Sequence, residues 1–148
     1  KVNASLKSGV VTAWGTICRI FTPLILIILK VMNLIDEFNE YRAKMNERIL
    51  AEDNKVIKRF FNLDTNTYAD GELDVKTKEM IGLACSMVLR CDDCIKYHLG
   101  KSFEAGVGRK EVFEVFSISM IIGGSIVIPH LRRAVEYWEE LENQAENV

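Results

Sequence analysis

The chain has little that bends or breaks a backbone: two prolines and nine glycines in 148 residues. That scarcity argues against disorder and against an all-β chain built on tight turns. One short β-branched run, at 125–128, is too brief to found a sheet. Basic charge is not in excess. Nineteen Lys and Arg face twenty-one Asp and Glu, for a net charge of −2. With no basic stripe or aromatic-rich basic patch, nucleic acid is not an expected partner. There are only two histidines, and no fourth ligand is in view for a zinc site built on cysteine and histidine. No internal repeat or low-complexity segment is found.

What is present is apolar residue content, 49% of the chain, at a length that suits one domain or one domain with an extension. Residues 1–31 stand apart. The stretch 10–31 is largely apolar but is interrupted by Arg19 and Pro23. Its unbroken apolar run falls short of the roughly 20 residues that span a bilayer. It is read as an apolar N-terminal extension packed on its own or a neighbouring subunit, and a membrane is not an expected partner. The domain proper is placed at 32–148.

From Met32 the pattern is helical. Leu34, Phe38, Tyr41, Met45 and Ile49 form one stripe that faces the core or another subunit. Val56, Ile57, Phe60 and Phe61 continue it after a break near 52–54. Asn62 to Gly71 is dense in Asn, Asp, Thr and Gly and reads as a loop. Asp74 suits an N-cap for a helix to about Leu89. Its small residues Gly82, Ala84, Cys85 and Ser86 permit close approach of another helix. A kink at 90–93 precedes a helix to about Ala105, stopped by Gly106-Val107-Gly108. Lys110 to Ile122, apolar on more than one side, reads as a central helix. Pro129 sits in the first turn of a last helix running to about Asn143. The expectation is an all-α fold.

Four cysteines are present. Cys18 and Cys85 lie alone in apolar stretches and read as core. Cys91 and Cys94 form a C-x-x-C pair, with His98 four residues on; at helical spacing the three share one stripe. One redox pair in a reducing, intracellular and cytoplasmic setting is the better reading than a disulfide framework. Zinc ligation and inert buried thiols are the competing readings. A thiol reacts as thiolate. A helix N-terminus near Asp92 and the imidazole of His98 would favour that form. Asp92 and Asp93, between the thiols, would oppose it unless turned outward or used as helix caps. Glu79 is a further candidate base. If two helices fold back at 90–92, a rise of about 1.5 Å per residue sets Glu79 roughly 16 Å from the turn and His98 roughly 9 Å. That arithmetic levels Cys85, not Glu79, with His98. His130 reads as a core or interface histidine. Lys96 and Tyr97 read as the solvated and packed faces of the cysteine helix.

Glu79, eleven residues, Cys91, two residues, Cys94, three residues, His98 resembles the E-x11-C-x2-C-x3-H signature of the AhpD-like (alkyl hydroperoxidase D-like) proteins of the carboxymuconolactone decarboxylase superfamily. The stretches from Leu73 to Glu79 and from Gly123 to His130 also look like that family. The resemblance covers about 32–141. It implies an AhpD-like helical bundle assembled as a homo-oligomer, a trimer or a hexamer. It also implies a thiol-dependent peroxidase or disulfide oxidoreductase, with Cys91, Cys94, His98 and Glu79 as a catalytic relay. The expected partners are a hydroperoxide substrate and a lipoyl or thioredoxin-like reductant. No metal and no cofactor beyond the thiols are expected. Where family members carry a histidine between the cysteines, this chain has Asp93. Cys94 is the favoured nucleophile with Cys91 as its partner, and the reverse order is the alternative. The alternatives are a decarboxylase acting on a small carboxylated metabolite and a non-enzymatic oligomeric binding module.

Overall fold

The structure is a computed structural model that describes residues 33–147. The extension read at 1–31, Cys18 and the start of the domain at Met32 lie outside the described residues. The described elements are all helical: α1 (Leu34–Ala51), α2 (Lys55–Thr67), α3 (Val75–Leu89), α4 (Asp92–Glu104), α5 (Arg109–Gly123), a 3-10 turn (Ser125–Val127) and α6 (Ile128–Glu146). Among the described residues, no helix is long and apolar enough to cross a membrane.

The helix starts follow from side chains that satisfy free backbone N–H groups. Asn33 accepts from Asp36 N, Asn54 from Val56 N and Ile57 N, and Asp74 from Thr77 N. At α5, the Gly108 N–H donates to Glu111 Oε2 at 2.8 Å. Lys76 reaches the same oxygen from α3, also at 2.8 Å, which ties the two helices together.

The core forms where α3, α4, α5 and α6 meet. Leu83, Met87, Leu99, Val112, Phe116 and Trp138 are all but inaccessible to solvent. The Phe103 ring stands edge-on to Trp138 at 5.3 Å, and the Trp138 indole N–H donates to Glu142. Helix α1 joins through Phe38, edge-on to Tyr137 at 6.2 Å.

Several expectations need correction. The α1 stripe is only half right. Ile35 and Phe38 are buried, while Leu34, Tyr41 and Ile49 are exposed. The Leu34 N–H is tied to Glu140 Oε1 at 2.9 Å, and that contact fixes the rotation that turns Ile35 inward. The loop read from Asn62 is helix as far as Thr67. Its polar side chains do not compete with the helix; Thr65, Asn66 and Thr67 bond back to the carbonyls four residues earlier. Helix α5 buries one face only, since Ile118, Ile121 and Ile122 are exposed. Cys85 is exposed rather than core. Helix α6 continues to Glu146, three residues past Asn143.

Candidate active site: a disulfide beside a buried carboxylate–imidazole pair

The site is built by the turn between α3 and α4. Arg90 takes a left-handed conformation (φ 61°, ψ 38°), and its N–H donates to Met87 O. The Cys91 N–H then donates to Ser86 O at 3.1 Å. This wraps the chain back over the last turn of α3, so Cys91 starts level with Ser86. Seven residues before Ser86 is Glu79; seven after Cys91 is His98. At about 1.5 Å per residue both lie roughly 10 Å from that shared bond. The symmetric hairpin arithmetic, which placed Cys85 level with His98, is therefore wrong. It measured from the middle of the turn and missed the fold-back.

The outcome is a buried pair. His98 Nδ1 lies 2.7 Å from Glu79 Oε2. Glu79 is 2% exposed and His98 8%. A carboxylate only accepts, so Nδ1 carries the hydrogen of this bond, and in the neutral ring Nε2 has the lone pair. The Tyr68 hydroxyl, from the end of α2, lies 3.4 Å from that Nε2 and is placed to donate to it. Burial, then the Glu79 charge, push the Tyr68 phenol above its usual range, so it remains a neutral donor. Gly82 makes room for this packing. A Cβ there would lie 2.6 Å from His98 Cε1 and 2.7 Å from the Tyr68 hydroxyl.

Cys91 and Cys94 are joined as a disulfide. Cys91, not Asp92 or Asp93, is the N-cap of α4; the Cys94 N–H points at its sulfur, 3.4 Å away. Cys91 therefore stands just before the helix, and only Cys94 and His98 share its stripe. Cys91 is half-buried and Cys94 exposed. Cys94, Asp93, Tyr97 and His98 line a cleft of about 330 Å³, closed on its far side by Phe38, Arg42 and Met45 of α1. The Arg42 guanidinium lies over the Tyr97 ring, 4.1 Å from its centre.

The two carboxylates inside the pair have different environments. Asp93 is exposed at the cleft. Asp92 is clamped from α6. His130 Nδ1 lies 2.7 Å from Asp92 Oδ1, and Arg133 Nη2 lies 2.9 Å from Oδ2. Burial alone would raise the Asp92 carboxyl, but these hydrogen bonds outweigh it and hold it below its usual range. His130 is thus a half-buried partner of Asp92 rather than a core histidine. Arg133, exposed on α6, is its neighbour. Sequence reasoning missed Tyr68, His130 and Arg133 as members of the site. The one local signal was the acidic residue placed beside a thiol that needs positive charge. Among the described residues, no group of three His, Cys, Asp or Glu side chains is arranged to hold a metal ion.

A buried carboxylate–imidazole pair and a C-x-x-C disulfide on neighbouring helices of an all-helical bundle define a class. Residues 54–137 match the carboxymuconolactone decarboxylase family. The chain belongs to that family, within the AhpD-like superfamily. Two crystal structures of a Thermotoga maritima protein superpose with TM-scores of 0.74 and 0.73 at 52% and 51% identity. The first alignment covers 76% of this chain and 98% of the other; the second covers 75% and 94%. That protein is described as a carboxymuconolactone decarboxylase family member with a possible part in an antioxidative response. A family member from Legionella pneumophila shares the fold, with a TM-score of 0.67 at 24% identity over 72% of this chain and 96% of the other. Among curated relatives, an uncharacterised Cupriavidus necator protein is 29% identical over 72 residues, 49% of this chain. The match spans 64% of that relative's own length, less than two thirds. A Paracoccus denitrificans protein, described as uncharacterised protein 4 in a cox locus, is 25% identical over 83 residues, covering 56% of this chain and 75% of its own length.

Proposed function

We propose that the protein is a thiol-dependent peroxidase or disulfide oxidoreductase. The observation that carries this reading is the placement of the pair: an exposed Cys94, bonded to Cys91, opens on the cleft that buried His98 also lines, and Glu79 bonds to His98. The antioxidative description of the Thermotoga relative points the same way.

In this scheme the Tyr68 hydroxyl gives up its long 3.4 Å contact and the reduced Cys94 passes its proton to His98 Nε2. The thiolate attacks the outer oxygen of a hydroperoxide. An S–O bond forms and the O–O bond breaks. Sulfur gives up two electrons, and the alkoxide leaves as an alcohol on taking up one proton. Cys91 then attacks the sulfenic sulfur, forming the disulfide and releasing water. A dithiol donor of the lipoyl or thioredoxin type returns two electrons and two protons. Cys94 is the entering thiol because it is exposed in the cleft, whereas Cys91 is half-buried behind it.

Cysteine variants test this. Cys94→Ser is expected to abolish peroxide consumption. Cys91→Ser is expected to lose multiple turnover but still form one sulfenic acid per chain, trapped by dimedone. Equal consumption by wild type and both variants would sink the reading. Turnover of a small carboxylated metabolite that survives full alkylation would favour the decarboxylase branch instead.

We also propose that the working unit is a homo-oligomer, with a second copy as the partner. Val56, Phe60 and Leu63 make one stripe on α2, and none of them is buried. Ile118, Ile121 and Ile122 on α5, with Ile126 beyond it, make a second exposed apolar surface, with Ile121 88% exposed. Contiguous apolar surface of this kind marks contact sites. Sedimentation should show a trimer or hexamer for the wild type and smaller species for Phe60→Glu or Ile121→Glu. A monomeric wild type at micromolar concentration would reject the proposal.

A further inference from the structure

The site already described leaves one cluster unused: Asp92, His130 and Arg133. It lies across the α4–α6 contact rather than in the cleft. Asp92 follows Cys91 directly and is the first residue of α4. A carboxylate there cancels part of the positive end of the helix dipole that would otherwise favour a thiolate. Asp93 stays in solvent, where screening weakens it. Asp92 does not. His130 Nδ1–H donates to its Oδ1, and Arg133 Nη2 lies 3.1 Å from Oδ1 and 2.9 Å from Oδ2. The same Arg133 nitrogen is 2.9 Å from His130 Nδ1, so the three groups touch one another.

We propose that Arg133 and His130 are positioning residues for the redox pair: by neutralising and fixing the Asp92 carboxylate beside Cys91, they set the thiolate fraction of the reduced pair. The proposal deepens the thiol reading above and rests on it. Its physical content is a charge balance. The carboxylate disfavours a thiolate; the guanidinium, always charged, restores it. His130 adds a hydrogen bond that holds the carboxylate toward α6 and away from the sulfurs. The arrangement also accounts for a chain that keeps an acidic residue where it should hinder the chemistry.

A charge balance and a merely structural clamp predict different things. Under the charge balance, Arg133→Gln strips the compensation and lowers the thiolate fraction at fixed pH, about threefold to tenfold for charges near the surface. Asp92→Asn removes the opposing charge and raises that fraction by a similar factor. The double variant returns to within about twofold of wild type, because both charges are gone. Arg133→Lys keeps the charge and stays near wild type. A structural clamp would give changes of the same sign in both single variants, no cancellation in the double, and no rescue by lysine.

The measurement is thiolate absorbance and the rate of alkylation by iodoacetamide against pH, on chemically reduced protein. Circular dichroism confirms the fold of each variant. The equilibrium with a glutathione buffer gives the potential, where a tenfold change in the constant is about 30 mV. Arg133→Gln should shift it negative at a pH where thiolate is populated, since it destabilises the reduced form. Opposite signs that cancel support the inference. Unmoved thiolate fractions, or shifts of one sign, overturn it. These readouts need no peroxide turnover. A pair that alkylates as described but consumes no peroxide would refute the peroxidase reading and leave the charge balance intact.

Discussion

Glu79→Gln is expected to cut peroxide reduction about 100-fold while leaving the fold in place. The glutamine is nearly isosteric, so the packing around His98 survives. What it removes is the negative charge 2.7 Å from Nδ1. In the proposed scheme His98 takes the thiol proton and its ring becomes positive, and in a nearly dry site that charge needs a partner. An amide oxygen can still accept from Nδ1–H but offers only a dipole. An amide turned the other way would donate to Nδ1 and force the hydrogen onto Nε2, where the thiol proton must arrive. Both effects work against proton transfer, and a positioned base contributes about 10² to 10⁴ to a rate. Glu79→Ala is the harsher test, since it leaves His98 unpartnered in a cavity and should also destabilise the protein. The check is kcat/KM for a hydroperoxide in Glu79→Gln, with the melting temperature measured alongside. A variant as active as wild type would remove Glu79 from the relay.

The same pair shows where sequence reading succeeds and where it stops. Periodicity was enough to recognise helices, because their caps and stripes are local: Asp74 was legible as a cap, and Pro129 as a first-turn residue. The C-x-x-C spacing placed Cys94 and His98 on one face without any knowledge of the fold. Glu79 stood as a candidate base, but only the family resemblance joined it to His98. Its meeting with His98 depends on one left-handed residue, Arg90, and on the Ser86–Cys91 bond that folds the turn back. Arginine does not advertise a left-handed conformation as glycine does, so the register of α4 against α3 was invisible. His130 and Arg133 sit 38 and 41 residues from Asp92. Nothing in their own helix pattern distinguishes an arginine that clamps a carboxylate from one that faces water. The stretch from Asn62 misled for the opposite reason. Its polar side chains bond backward along a helix, although the same composition more often makes a turn.

Gly82→Ala should be the most informative single methyl group in the molecule. Two effects oppose one another. Alanine in a helix interior is favoured over glycine by about 1 kcal/mol. Against that, the new Cβ would lie 2.6 Å from His98 Cε1, 2.7 Å from the Tyr68 hydroxyl and 2.8 Å from His98 Nδ1. Overpacking of a tight site costs about 1–3 kcal/mol, so global stability should change by no more than about 2 kcal/mol in the unfavourable direction. The ring cannot stay where it is. It is held by Glu79 on one side and packed edge-on against Tyr97 at 5.2 Å on another. The displacement must therefore break the 2.7 Å contact to Glu79 or swing Nε2 away from Tyr68 and the cleft. Catalysis is more sensitive to such a shift than folding is, because proton transfer needs hydrogen-bond distances. Peroxide reduction should fall at least tenfold in a variant whose thermal unfolding remains cooperative. Full activity with a raised melting temperature would mean that the ring relaxes freely. The close approach of α4 to α3 at Gly82 would then serve packing alone.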